Sequence, residues 1–339
     1  MGGDLAPRAP IAGALLALAA LPQDLHIDLV GPTGIIEAEL AALLAGEYAG
    51  LAHLRERLAI IEAPDVIEMT DKPSVALRGK TNSSMVLGIR RVADGHAHGF
   101  VSAGNTGAQM AASLMILRLH AGLTRPAIGT IFPTALQPVL VLDAGANVDC
   151  APDELVQFAR IGTVYAQALL GRPEPVVGLL SIGEEPEKGN TAVKEAHQRL
   201  RAEAGIHFLG NVEGRDIARG RADEGPFDVV VCDGFVGNVL LKFYEGLAPM
   251  IIGMVSKAAG LNPHDMAASL KQLDAEAYGG APLLGVKGVS IICHGRSSAR
   301  AIHNAIAVAL RAHESGMVDA IGRKLSDGLP DASHSGTAA

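Results

Sequence analysis

Three observations predict a wound, mostly parallel α/β sheet. Short β-branched runs alternate with longer helix-like stretches along most of the 339 residues. Several of the runs are apolar throughout rather than alternating, as strands covered on both faces are. Each run is followed by small and polar residues before the next helix begins, which is where ligands sit in open α/β sheets.

The elements follow in order. The opening MGGDLAPRAPIAGALLALAALPQD, with Arg8, an uncharged run from Ile11 to Leu21 and several Ala-x-Ala triplets, imitates a secretory signal. Asp4 and the early glycines fit that badly, so the segment is read as an alanine-rich first helix. Strands are expected at 26–30, 59–62, 99–102, 127–132, 139–142, 176–181, 206–209, 228–232 and 289–293. Helices carrying Ala, Leu, Glu, Arg and Gln fill the intervals. Residues 69–84 break the periodicity with Pro73 and a cluster of basic and hydroxyl residues, the mark of a boundary or a functional loop. A second irregular stretch, 245–280, joins two helix-like segments through GLNPHD, and its PMIIGMV arm at 249–255 is unusually apolar for a surface hairpin. The expectation is one α/β unit over 1–325, divisible into two subdomains around a cleft, with a protruding helical hairpin at 246–275. Low-complexity sequence at 326–339 reads as a disordered tail.

Composition excludes several functions. Lys and Arg number 28 against 36 Asp and Glu, a formal net charge of −8, with 49% hydrophobic but 3% aromatic residues. A disordered chain needs less apolar content, and a general nucleic-acid binder needs a basic footprint and stacking rings. Cys150, Cys232 and Cys293 form no CxxC pair, which argues for a reducing, cytoplasmic compartment. No uninterrupted apolar run reaches the roughly 18 residues needed to span a bilayer. No HExxH, HxxxH or clustered acidic motif suggests a metal, and no GxGxxG suggests a nicotinamide, so no cofactor is expected.

The residues after the strands read GPTG, SAGNTGA, DAGANVD, IGEEPEKGN, GNVEGRD, DGFVGN and HGRSS. Seven such loops in succession favour a cleft. SAGNTGA opens a helix, whose N-terminal N–H groups attract anions, so Ser102, Gly104, Asn105 and Thr106 are candidates for a phosphate cradle. Arg78 and Lys80 are added as cationic partners. The RGKT around them imitates the end of a Walker A loop, but Ser74 stands where its first glycine belongs. In GEEPEKGN, Lys188 and Asn190 stand before a helix start. Asp143 and Asn147 end a strand; Asp143 reads as a general base, an orienter of one, or a plain turn cap. Asp233 flanks a strand-to-helix turn, and His294 follows the last strand. Cys293 beside it reads as a buried, inert strand residue, not a nucleophile.

Taken together, MGGDLAP, KPSVALRGKTNSS, VSAGNTGA, LDAGANVD, IGEEPEKGN, GNVEGRDI, VVVCDGFVGNVLLK, YGGAPLLGVKG and CHGRSS, in this order, resemble the fatty acyl-phosphate synthases, the phosphate acyltransferase (PlsX) family. The resemblance covers about residues 1–325. It implies an α/β/α fold similar to phosphotransacetylases and isocitrate-dehydrogenase-like enzymes, and a homodimer. It implies transfer of a long-chain acyl group from acyl-[acyl-carrier protein] to inorganic phosphate, an early step of phospholipid synthesis, with no covalent intermediate and no metal. It further implies that the 246–275 hairpin touches the inner face of the membrane, where a glycerol-3-phosphate acyltransferase is a partner. Phosphate must be held against the thioester carbonyl, and Asn147, Asn190 or Lys188 are candidate oxyanion donors. Asp143, Asp233 and His294 complete the candidate catalytic set. An acidic carrier protein calls for a basic patch, for which Arg55, Arg57, Arg90, Arg91, Lys242 and Lys257 are candidates. A coenzyme A-dependent phosphate acetyl- or butyryltransferase and a non-catalytic membrane scaffold are the competing readings. Family members carry a hydrophobic strand before MGGD, so a first strand is expected upstream of Met1.

Overall fold

The computed structural model describes residues 1–260, 262 and 275–326. Its centre is an eight-stranded sheet in the order β3-β10-β9-β4-β5-β8-β6-β7. The strands are β3 (Gly99–Ser102), β4 (Ala127–Phe132), β5 (Val139–Leu142), β6 (Val176–Leu180), β7 (His207–Val212), β8 (Val229–Val231), β9 (Ala281–Leu284) and β10 (Val289–Ile292). A separate parallel pair holds β1 (Ile27–Gly31) and β2 (Leu58–Glu62). All nine predicted strands form within a residue or three of their expected limits. β9 is added inside the stretch read as irregular.

The sheet is mostly parallel, as expected, with both flanks parallel and the centre antiparallel. β3 and β10 are parallel, as are β5, β8, β6 and β7. β9 is antiparallel to both β10 and β4, and β4 is antiparallel to β5. The registers fix the consequence. Ser102, Ile292 and Ala281 lie level with one another, whereas Leu142 pairs with Gly129, Val231 with Leu142 and Val231 with Leu179. The carboxyl ends of β3 and β10 therefore lie at the opposite end of the sheet from those of β5, β6, β7 and β8.

Two helical layers cover the sheet. On one face α6 (Pro152–Leu170), α10 (Ala299–Glu314) and α11 (Met317–Ser326) bury Phe158, Ile161, Ile302 and Ile321 with Leu140, Leu142, Val229, Val231 and Ile291. The other face is divided. α4 (Ser84–Ala93) and α5 (Thr106–Ile116) cover the β10–β4 half with Met85, Ile89, Ala108 and Ala112. The first turns of α9 (Gly234–Ala259) cover the β4–β6 half through Leu240, Leu241 and Tyr244. α1 (Arg8–Ala20) buries Ile11, Leu15 and Leu18 against α2 (Thr33–Ala45), so the signal-like run is a core helix. Residues 69–84, expected as a boundary or a functional loop, are half helical: α3 (Pro73–Gly79) starts at Pro73, whose missing N–H is harmless at a first turn. Ser326 closes α11, and residues 327–339 lie outside the described residues. So do 261 and 263–274, the distal part of the expected hairpin. Its first arm belongs to α9, which by length and composition alone is long and apolar enough to cross a membrane.

Candidate active site

The strand reversal divides the predicted site residues into two groups. Four motifs converge at the ends of β3 and β10. The amide of Asp4 donates to the carbonyl of Gly295 (2.8 Å), and Gly3 packs so closely on the carbonyls of Ala103 and Gly295 that a Cβ would stand 2.7 and 3.3 Å from them. The segment 66–72 is clamped onto this corner. Asn105 caps α5 by accepting from Ala108 N (3.0 Å), and its Nδ2 donates to the carbonyls of Met69 and Asp71, both at 3.1 Å. Lys80 donates to Asp71 Oδ2 (2.6 Å) and to the carbonyl of Val66 (2.7 Å). Hydrogen bonding to Lys80 is the first cause holding the Asp71 carboxyl below its ordinary value, followed by that to the amide of Glu68.

This geometry revises the predicted cradle. Asn105 and Lys80 spend their side chains on the protein itself, and Ser102 Oγ accepts from Gly104 N (3.1 Å). Gly104 is buried against Ser102 and Met85. What remains open to an anion is the first turn of α5, where Thr106 is exposed, together with Arg78 on α3, exposed and without an ion pair among the described residues. α3 lies beside this turn, since Pro73 abuts Gly107. His294 is exposed at the same corner, its Nδ1 accepting from Arg296 N (3.3 Å). Arg296 is also exposed and free of ion pairs among the described residues, and the sequence reading missed it. The rule that selected His294, a polar residue just past a strand, applies equally two positions later. Cys293 is buried, and burial pushes its thiol up to about 12, which keeps it protonated and inert.

The second group lies at the ends of β5 to β8. Asp143 is fully buried and accepts five hydrogen bonds, from the amides of Ile128 (3.0 Å), Gly145 (3.1 Å), Ala146 (3.0 Å) and Asn147 (2.7 Å) and from Asn147 Nδ2 (2.8 Å). Burial pushes its carboxyl above the usual range, and these donors pull it back. Asn147 Nδ2 also donates to the carbonyl of Pro126 (2.8 Å), and the Asn147 carbonyl accepts from Gly234 N (2.7 Å). Both side chains therefore hold the loop, and the Asn147 carbonyl holds the start of α9, rather than face a cleft. Asp233 caps α9 by accepting from Val236 N (2.8 Å). Asn190 is exposed and caps α7 (Thr191–Ala202) through Val193 N (2.9 Å), and Lys188 beside it is exposed without an ion pair among the described residues. Their loop is tied to β7, because Asn211 Nδ2 donates to the Glu185 carbonyl (2.8 Å) while its Oδ1 meets His197 Nδ1 (3.0 Å).

Each end carries its own set of charges. Glu184, Glu213 and Asp216 bring carboxylate oxygens within 4.8 Å of one another. Arg215 takes the cation's place among them, 3.0 Å from Glu184 and 2.8 Å from Glu213. Glu185 and Glu187 are exposed nearby in sequence, next to the exposed Lys188. At the β3–β10 end the carboxylate of Asp71 is already paired and Arg78 and Arg296 are not. The expected basic patch is reduced in the same way. Arg57 donates to the carbonyls of Leu18, Pro22 and Leu25, Arg55 to that of Leu58, Arg91 pairs with Asp28 and Lys242 with Glu245. Arg90 and Lys257 are left exposed.

The model of the fatty acid synthesis protein family matches residues 1–320. The chain belongs to that family. A "Phosphate acyltransferase" of Desulforamulus reducens is 47% identical over 336 residues, covering 96% of both chains. One from Heliobacterium modesticaldum is 48% identical over 333 residues, covering 95% of this chain and 94% of its own. Among solved structures, a branched-chain phosphotransacylase from Enterococcus faecalis V583 shares the fold, with a TM-score of 0.57 over 92% of this chain and 97% of that one at 15% identity. Family membership thus agrees with the acyltransferase reading of the motifs, and the fold with the phosphotransacetylase-like architecture they imply.

Proposed function

We propose that the chain is a phosphate acyltransferase that forms long-chain acyl phosphate from acyl-[acyl-carrier protein] and inorganic phosphate at the ends of β3 and β10. The observation that carries the assignment is the pair of exposed cations, Arg78 and Arg296, free of ion pairs among the described residues, at the corner that holds the open first turn of α5. Hydrogen phosphate attacks the thioester carbonyl through one oxygen, the carbon–sulfur bond breaks, and the proton of the phosphate passes to the departing thiolate. The products are acyl phosphate and carrier-protein thiol, with atoms and charge balanced. Thr106 and Arg78 hold the phosphate, Arg296 and His294 stand where charge develops on the carbonyl oxygen, and the corner supplies orientation. Asp143, Asn147 and Asp233 are positioning residues that fix the loop beneath α9. Lys188 and Asn190 take part only if the two ends close on one substrate.

The donor is assigned to the carrier protein, with Arg90 and Lys257 as candidate docking charges. The enzyme works as a cytoplasmic homodimer at the inner face of the membrane, where a glycerol-3-phosphate acyltransferase consumes the product. Support for the surface contacts comes from α9, where Phe235, Val239 and Phe243 are 61%, 52% and 66% exposed at four-residue spacing, followed by exposed Met250 and Met254. The first three are assigned to the second copy and the methionine turn to the lipid surface.

Trapping acyl phosphate with hydroxylamine after incubation with phosphate and either acyl-carrier protein or acyl-coenzyme A tests the donor. Product from the carrier-protein thioester is expected. Product from the coenzyme A thioester alone establishes the competing transferase, and product from neither leaves the scaffold reading standing.

A further inference from the structure

Residues 72–93 hold five of the chain's 28 lysines and arginines and none of its 36 carboxylates, so α3 and α4 form a positive stretch in a net-negative chain. Two of the five are spent: Lys80 pairs with Asp71 and Arg91 with Asp28. Lys72, Arg78 and Arg90 are exposed and free of ion pairs among the described residues. With Arg78 given to the phosphate, Lys72 and Arg90 are left for a partner.

The short helix α3 buries one side and offers the other. Ala76 and Leu77 pack into the cluster that holds Ile67, Met85 and Ala108. Lys72, Val75 and Arg78 follow one another at three-residue spacing on the solvent side, where Val75 is 64% exposed. Met69, three residues before Lys72, is 41% exposed, and its Cε stands 3.1 Å from the position of a Cβ on Gly295. Two apolar tips therefore alternate with a cation. The surface is held in place, since Lys80 ties it to Val66 and Asp71 while Asn105 grips the carbonyls of Met69 and Asp71. The exposed carboxylates of this corner, Asp4 and Glu68, lie outside α3.

An anionic lipid surface and an acidic, amphipathic protein helix both suit exposed apolar tips beside free cations. Position favours the helix. α3 borders the open first turn of α5, with Pro73 Cγ 2.9 Å from the position of a Cβ on Gly107, so whatever covers α3 stands over the entrance to the proposed phosphate site. A thioester carried on a protein must be delivered there, whereas a bilayer at that place covers the route by which phosphate arrives from water. Lipid attraction also takes clusters of about four to eight cations, more than α3 and α4 leave free.

We propose that the side of α3 formed by Lys72 and Val75, with Met69 before it, is the docking surface for an acidic amphipathic helix of the acyl-carrier protein. Carboxylates of that helix meet Lys72, and an apolar side chain rests on Val75 and Met69. Arg90, in the last turn of α4, serves another part of the same acidic partner. This placement rests on the carrier-protein donor proposed above and fixes where that donor sits.

Initial rates with acyl-carrier protein and phosphate varied in turn test the surface. Lys72→Glu and Val75→Asp are compared with the parent and with Arg201→Glu, which reverses an exposed charge in the last turn of α7. Each of the first two is expected to raise the KM for acyl-carrier protein about tenfold, with kcat and the KM for phosphate unchanged. Lys72→Ala, the milder change, is expected to raise it about threefold. Added salt is expected to raise the KM of the parent more than that of Lys72→Glu. Thermal midpoints equal to the parent's establish that the variants fold. A carrier-protein KM unchanged in Lys72→Glu and Lys72→Ala overturns the docking surface, as does an equal rise in Arg201→Glu. Weakened flotation of Lys72→Glu with anionic vesicles at unchanged KM assigns α3 to lipid and overturns it too. A parent that makes no acyl phosphate from acyl-carrier protein refutes the donor itself, and the docking surface falls with it.

Discussion

Replacing Asp143 by alanine separates a structural carboxylate from a catalytic one. Five N–H donors converge on this side chain, and three of those bonds, from Ile128 N, Asn147 N and Asn147 Nδ2, are buried. A buried donor left unpaired costs about 1–3 kcal/mol, so the three together come to about 3–9 kcal/mol. Water entering the space of the lost carboxylate recovers part, and breaking a buried charged network by removing one member costs about 3–5 kcal/mol. The expected loss is about 4 kcal/mol, a large share of the 5–15 kcal/mol typical of a folded domain. Asp143→Asn keeps one acceptor oxygen but turns an NH2 group toward Asn147 N and Nδ2, and is expected to lose about 2 kcal/mol. Urea unfolding measures both as a fall in midpoint at unchanged slope. If Asp143→Ala unfolds within about 1 kcal/mol of the parent while turnover disappears, the carboxylate does chemistry and the positioning role is refuted.

Three further outcomes are expected. Arg78→Ala should raise the KM for phosphate about 10- to 100-fold, the loss of one charge-assisted contact, with Arg78→Lys intermediate; initial rates against phosphate concentration check this, and an unchanged KM moves the phosphate site elsewhere. Burial, with Lys287 assisting and Asp319 opposing, lowers the pKa of His120, so the unfolded chain binds the proton first. Stability is therefore expected to fall as pH drops from about 6.5 through the lower folded value, and His120→Gln should flatten that slope in pH-dependent unfolding; a slope unchanged by the substitution removes His120 as its source. Phe243→Asp should shift the sedimenting mass toward the monomer and Met254→Asp should weaken flotation with anionic vesicles, each with folding unchanged by circular dichroism; if neither value moves, the exposed face of α9 serves neither contact.

The strands were legible because strand formation here is local: a β-branched run such as Val139–Leu142 or Val229–Val231 is apolar at every position. β9 was not, since Ala281–Leu284 has four residues, includes Pro282 and follows two glycines, and its pairing comes from partners over 150 residues away at Ala127 and Ile128 and from nearby β10. One sign of the reversal was available. β4 and β5 are joined by 133–138 alone, too short for a parallel crossover and ample for an antiparallel turn.

Residue types and their order by themselves determined the strand-and-helix alternation and the acyltransferase family through its ordered motifs, whereas the capping by Asn105, Asn190 and Asp233, read from sequence as cradle or catalytic groups, came from the structure. The tertiary structure alone decided which of the seven loops share an end of the sheet. It also decided that Lys80 and Asn147 are spent on carbonyls and carboxylates while Arg78 and Arg296 stay free. The reason is that a side chain's availability depends on strand direction and on partners brought from distant sequence, neither of which local pattern encodes.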